Sequence, residues 1–424
     1  MAEELDRKQF LSRSGIAVAA VAGFASLEDV SAGGELDQSL RHWSTVRRQF
    51  QLDPRLIHLG AFLLASHPIA VRRAIERHRR RFDANPVDYL HEHWAASERR
   101  VLGAASGYLG AKPEDIALTD STTMGLSLLY AGLDVRPGQE LLTTTHDFFV
   151  THAALETKAR RSAATVRKIS LYDRPESASE SEIVDRIATA VRPETRVVAI
   201  TWVHSSTGVK LPLRKIADAL GRLNAGRAKR DRVLLCVDGV HGFGVENVEV
   251  AKLGCDFFAT GCHKWLFGPR GTGLVWGAPS AWPAATSTIP SFTGSDTPGA
   301  ANSPGGFHSF EHRWALAEGF LLHRQIGKSR IAARTHALNQ RFKDGLARMS
   351  NVVLHTPRAS SLSAGLVCFE VDGLSPNAVV SKLRSRRIVA TVTPYSPSYA
   401  RVAPSILNTP AEVDLALDAI RALR

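Results

Sequence analysis

A regular alternation from Glu98 to Gly277 constrains this chain more than any other feature. Seven apolar runs of strand length lie in it: "DIALT", "QELLTTT", "TVRKISL", "TRVVAITWV", "RVLLCVDG", "DFFATG" and "GTGLVWG". Between most of them stand helix-length amphipathic stretches, such as "STTMGLSLLYAGL", "THAALETKARRS", "SEIVDRIATAV" and "LRKIADALGRL". Strands that are apolar on both faces and spaced by helices predict an α/β fold. Its sheet would be mostly parallel, seven-stranded and covered by helices on both sides. In such sheets ligands sit beyond the carboxyl ends of the strands. Residues just after strands are therefore the first candidates for chemistry.

The flanking segments complete the organisation. The stretch from Pro279 to Gly306 is rich in Pro, Gly, Ser and Thr and reads as a long loop. Beyond it come a long helix, "FEHRWALAEGFLLHRQIG", the strands "GLVCFEV" and "RIVATV", and the helices "PNAVVSKLRSR" and "PAEVDLALDAIRAL". These predict a smaller C-terminal α+β domain. At the N-terminus, "DRKQFLSRSG", "IAVAAVAGFA" and "SLEDVSAGG" form a basic start, a short apolar stretch and a small-residue site ending at Ala32. That is the pattern of an export signal, too short in its apolar part to span a bilayer. "RKQFL" resembles the twin-arginine signal, with Lys8 in place of the second arginine. The expected divisions are a signal peptide at 1–32, an N-terminal segment at 33–97 that packs on both domains, a large domain at 98–300 and a small domain at 301–424.

Charge and cysteine content narrow the function. The net charge of +12 admits an anionic partner, but the arginines are spread along the chain. Their densest cluster, Arg77, Arg79, Arg80 and Arg81, has helical spacing beside Val71, Ala74 and Ile75. It reads as a solvated helix face. No basic–aromatic interleaving suggests nucleic acid. The four cysteines, Cys236, Cys255, Cys262 and Cys368, form no CxxC pair, which argues against a zinc site. They are expected to be free and mostly buried.

Four features gather at strand ends. Ser121, Thr122 and Thr123 open a helix, where hydroxyls and free N–H groups suit a phosphate; alone, they would be an ordinary N-cap. Asp238 ends the apolar run "LLCVD", with His241 three residues later. A carboxylate leaving a buried strand needs a cationic partner, although a local turn also accounts for it. Lys264, in "DFFATGCHKW", ends another apolar strand. Desolvation there favours its neutral amine, the form Schiff-base chemistry requires. "GPRGTG" then supplies a flexible turn with exposed amides. It is not a Walker A loop, because Lys264 precedes the glycines, and it lies too late to be a dinucleotide fingerprint.

Together, "VDGVHGFG" and "CDFFATGCHKWLFGPRGTG" resemble the class V aminotransferase fold of pyridoxal 5′-phosphate (PLP) enzymes, in particular the isopenicillin N epimerase-like proteins. "IHLGAFLLASHP", "FDANPVDYL", "GGFHSFEHRWAL" and "RVAPSILNTPAEVD" extend the resemblance over nearly all of the chain after the leader. It implies the PLP-dependent transferase fold type I. It also implies that Lys264 anchors PLP and carries the substrate Cα proton, that Asp238 pairs with the pyridine nitrogen, and that His241 lies beside the phenolic oxygen. Ser205 occupies a slot where many relatives carry Asn. Ser121, Thr122, Thr123 and His263 match phosphate contacts. Phe148 fits the ring-stacking position, with His146 as competitor. Arg401 matches the arginine that grips the substrate α-carboxylate. A segment near His308 and Ser309 is expected to complete the phosphate site of a partner subunit, which implies a homodimer.

The reaction is less constrained than the cofactor. Desulfuration needs a mobile nucleophilic cysteine, and the late Cys368 lies inside a strand-like run. Epimerisation needs proton carriers on both faces of Cα: Lys264 and one of His146, His204 or Tyr395. Transamination needs only Lys264 and a second amino acceptor. Lyase chemistry needs a leaving group on the substrate. A non-catalytic binding protein of this fold is disfavoured by the intact Lys264, Asp238 and Arg401.

Overall fold

A computed structural model describes residues 38–423 of the chain; residues 1–32, expected from the sequence to be an export signal, lie outside the described residues. All seven expected strands form one sheet. They are β1 (Ile116–Thr119), β2 (Glu140–Thr144), β3 (Thr165–Ile169), β4 (Thr195–Thr201), β5 (Leu234–Asp238), β6 (Phe257–Gly261) and β7 (Gly273–Gly277). Their order is β1-β7-β6-β5-β4-β2-β3. Every neighbouring pair is parallel except the two made by β7. All but β3 are buried along their whole length. β3 is one of the two edge strands; Lys168 on it is exposed, a common way to protect an edge, while Arg167 pairs with the buried Glu140 at 2.6 Å.

Helices cover both faces: α1 (Ile69–Ala84), α2 (Pro86–Leu109), α3 (Thr122–Gly132), α4 (Phe149–Ser162), α5 (Glu180–Ala190), α6 (Leu213–Asn224) and α7 (Phe310–Ile326). On α1, Val71 and Ala74 are buried while Arg77, Arg79, Arg80 and Arg81 face solvent. α2 is one continuous helix, so residue 98 falls inside an element rather than between two. α7 packs on α1 and α2, and its Leu316, Ala317 and Phe320 join the core on one face of the large sheet. Arg313 of α7 donates to Glu98 of α2 at 2.7 and 3.0 Å, and Trp314 donates to the same carboxylate at 3.2 Å. Removing either partner of such a buried pair costs about 3–5 kcal/mol.

The loop after β7 contains two short turns, Trp282–Ala284 and Pro298–Ala301. The C-terminal part builds an antiparallel sheet in the order β10-β11-β9-β8. Its strands are β8 (Val352–Leu354), β9 (Val367–Val371), β10 (Thr391–Val392) and β11 (Ala400–Val402). It is backed by α8 (Lys328–Leu346), α9 (Pro376–Ser385) and α10 (Pro410–Arg421). α8, β8 and β11 were not among the expected elements. Ile57–His58 pairs in parallel with Ile388–Val389, which straps the N-terminal segment to this domain. All four cysteines are free and buried, as expected. No described helix is long and apolar enough to cross a membrane.

Candidate active site

Two adjacent strand ends set the centre of the site. Asp238 closes β5 opposite Ala259 of β6, and the chain leaving β6 reaches Lys264. The Asp238 carboxylate accepts from Val240 N at 3.0 Å. Burial pushes its pKa up, against the pull of that N–H and of the Lys264 charge. Burial pushes the Lys264 amine down; the Asp238 charge opposes this and the Arg401 charge adds to it. In the free protein the two groups thus share a site that disfavours both charges.

The turn after Asp238 is packed without slack. A Cβ on Gly239 would stand 1.9 Å from the Phe258 ring, and one on Gly242 would stand 2.2 Å from Trp202. This turn carries His241, whose Nδ1 accepts from Trp265 Nε1 at 3.3 Å. Burial, helped by the Lys264 and Arg401 charges, keeps the imidazole neutral. With Nδ1 accepting, the ring proton is assigned to Nε2, which becomes a donor.

On the other side of Lys264, the start of α3 meets the β6 turn. Ser121 Oγ accepts from Met124 N at 3.1 Å, so this hydroxyl is spent on capping. Thr122 and Thr123 stand in the first turn, where backbone N–H groups have no helical acceptor. A Cβ on Gly261 would lie 2.9 Å from His263 Cε1 and 3.1 Å from Thr122 Oγ1. His263 Nδ1 is buried with no partner among the described residues. Of the later glycines, Gly273 packs against the Ser121 backbone, where a Cβ would fall within 3.0 Å. The glycine run therefore packs beside the anion cradle.

Arg401 arrives from β11 and is 4% exposed. Its Nη1 donates to Ser205 O at 2.7 Å, and its Nε donates to Thr391 Oγ1 at 3.2 Å. The guanidinium lies 4.5 Å from the centre of the Phe62 ring. It has no carboxylate partner among the described residues. Ser205 Oγ is 2.6 Å from Tyr395 OH, and the half-buried Phe148 ring lies 6.1 Å from Tyr395.

The remaining candidates are engaged by other partners. His146 stacks on Tyr172 at 4.0 Å, and His204 Nδ1 lies 2.8 Å from Tyr172 OH, so both rings serve one packed cluster. His308 is 3.7 Å from Asp120 and, with Ser309, lines a cleft of about 420 Å³. Arg270 and His312 line the same cleft, at the edge of the α3 start. Two contributors were not singled out in the sequence: Phe62, the plate under Arg401, and Trp265, which orients His241. Trp265 follows Lys264 directly, a usable signal; Phe62 had none of its own.

PLP can be tested against these atoms. The phosphate needs donors, and the α3 amides, Thr122 Oγ1 and the orphaned His263 Nδ1 converge around Gly261, where a side chain would fill the space. The pyridinium needs an anion, and the Asp238 carboxylate lacks a stable positive neighbour. The phenolic oxygen needs a donor, which His241 Nε2 can be. The residues fit the group. The chain is a PLP-dependent enzyme of fold type I.

A model of the class V aminotransferase family matches residues 68–395, and the chain belongs to that family. An isopenicillin N epimerase of Streptomyces clavuligerus is 26% identical over 90% of this chain and 98% of its own length. One from Amycolatopsis lactamdurans is 31% identical over 55% of this chain and 56% of its own. A probable cysteine desulfurase of Halalkalibacterium halodurans is 25% identical over 77% of this chain and 80% of its own. Among solved structures, a mutant of C-DES with glycine covalently linked to its PLP cofactor aligns with a TM-score of 0.82. It is 21% identical and covers 89% of this chain and 99% of its own.

Proposed function

We propose that this protein takes and returns the Cα proton of an amino acid, an epimerase-type reaction. The observation that carries this reading is Arg401. A buried guanidinium without an anion is costly, and neutral oxygens offset the cost only in part. A substrate α-carboxylate supplies the missing charge and can be gripped at two points. That grip orients Cα toward Lys264.

When bound, PLP withdraws electrons from Cα and makes its hydrogen acidic. The protein does the rest. Lys264 anchors the cofactor through its amine, and its lowered pKa suits it to take a proton at Cα. Asp238 keeps the cofactor ring nitrogen charged. His241 donates toward the phenolic oxygen, and Ser205 borders it. His263, Thr122, Thr123 and the capped turn at Ser121 hold the phosphate. Phe148 covers the ring face.

Cysteine chemistry has less support. Cys368 lies in β9, fully buried, and burial pushes its thiol up to about 12. Such a thiol is a poor nucleophile. The test is incubation of PLP-loaded protein with D- and L-amino acids in heavy water. Deuterium at Cα from both enantiomers, without keto acid, is expected. Keto acid that depends on an added acceptor would replace this reading with transamination. Release of sulfide and alanine would replace it with desulfuration.

A homodimer and export complete the reading. Leu63, Leu64, Phe149 and Phe307 are large apolar side chains left exposed, and burying them is what a subunit interface would gain. A single-chain mass in solution would contradict it. The leader pattern ending at Ala32 supports export, and a mature host protein starting at Met1 would contradict that.

A further inference from the structure

Under the proposed Cα chemistry, on which this inference rests, losing configuration requires a proton carrier on each side of Cα, and Lys264 serves only one. His146, His204 and Tyr395 are the candidates for the other side. His204 is fully buried and its Nδ1 is engaged by Tyr172 OH. His146 lies flat on Tyr172, and its Nε2 accepts from Leu171 N at 3.1 Å. Burial pushes each imidazole down to about 3. Both histidines belong to the Tyr172 cluster.

Tyr395 is placed differently. It sits at the tip of the turn between β10 and β11, which is pinned by Ser398 Oγ to Thr393 O at 2.7 Å and by Tyr399 N to Thr393 Oγ1 at 2.8 Å. Its hydroxyl crosses to the large domain and meets Ser205 Oγ at 2.6 Å. The carbonyl of the same Ser205 accepts from Arg401. One residue therefore ties the phenol to the group that would hold the substrate carboxylate, one bond from Cα. The sheet order sets the side of approach. Lys264 comes from the β6 end, and Ser205 and Phe148 come from the β4 and β2 ends, with Asp238 on β5 between them.

We infer that Tyr395, held by Ser205, is the proton carrier that faces Lys264 across Cα. In one direction the Lys264 amine takes the Cα proton, and the pair left at Cα would be held by the electron withdrawal that PLP supplies when bound. The pair then forms a C–H bond with the Tyr395 hydroxyl proton on the other face. Burial pushes the Tyr395 phenol up, so its phenolate is short-lived; the Ser205 hydroxyl and the Arg401 charge oppose that push. A proton from solvent resets the phenolate while the Lys264 ammonium returns its own. The reverse direction begins with Tyr395 as phenolate and Lys264 as ammonium.

The test is Tyr395→Phe in the PLP-loaded enzyme, with Cα exchange in heavy water followed separately for each enantiomer. The enantiomer whose hydrogen faces Lys264 is expected to keep exchanging with little change in KM. Exchange of the other enantiomer, and net epimerisation, should fall about 100-fold or more, the usual weight of a positioned acid or base. The visible PLP band and the PLP affinity should not move, because the phenol lies outside the cofactor cradle. Equal loss for both enantiomers, or loss for neither, would overturn the assignment. Should the variant fail to fold, the parent enzyme is read instead: Cα-deuterated substrate epimerised in light water should lose its label in the first turnover, and retained label would mean that one carrier serves both faces and would overturn the assignment. A parent enzyme that exchanges neither enantiomer would overturn the proposed Cα chemistry itself, and this assignment with it.

Discussion

Lys264→Ala protein is expected to lack the visible PLP band and to lose Cα exchange by at least about 10⁴-fold, since covalent anchoring and proton transfer fail together. That is about 5.5 kcal/mol of transition-state stabilisation. The absorption spectrum after PLP addition and the exchange rate in heavy water measure the two losses independently. Lys264→Arg should rescue neither. A guanidinium stays charged at every accessible pH, whereas the strand end at β6 is built to disfavour charge on the amine. A Lys264→Ala protein that binds PLP with the parent spectrum and affinity would sink the assignment.

Arg401→Met is expected to leave the PLP spectrum intact and to reduce kcat/KM for an amino acid by about 30- to 5000-fold. This corresponds to about 2–5 kcal/mol for cutting one partner from a buried, hydrogen-bonded charge pair. Methionine keeps much of the volume over Phe62 and removes the charge. The discriminating measurement uses an amine that lacks the α-carboxylate. Its turnover should be indifferent to the substitution, because nothing remains for the guanidinium to hold. A matching loss with that amine would mean that Arg401 acts on the fold or on the cofactor instead.

The large sheet was legible because strands buried on both faces leave uninterrupted apolar runs, and Asp238 and Lys264 mark where two of those runs end. Helix α8 was not legible. Its buried side includes Thr335, Asn339 and Lys343 among Ile331, Leu338 and Phe342, so no clean apolar stripe appears. Lys343 Nζ is satisfied by Pro357 O, Arg358 O and Ser363 Oγ, partners that lie well downstream. β8 and β11 are three residues each, too short for a periodic signal. α7 reads as the first helix of the small domain, yet it packs into the large-domain core through a face that only α1 and α2 define. Within the site, Arg401 was found by motif, but its grip on Ser205 and its seat on Phe62 depend on pairing between distant strands. The division among His146, His204 and Tyr395 was likewise invisible. It depends on Tyr172, a residue with no chemical signature in the sequence.

The seat of Arg401 on Phe62 also joins an early and a late stretch of the described residues. Phe62 is among the first described residues and Arg401 among the last, with the whole large sheet threaded between them. A chain emerging from the ribosome can complete the Lys264–Asp238 neighbourhood while its final strand is still being made. Substrate recognition must wait for that strand, because non-local pairings form only after the loops between them close. A chain truncated before β11 is expected to take up PLP without turning over substrate.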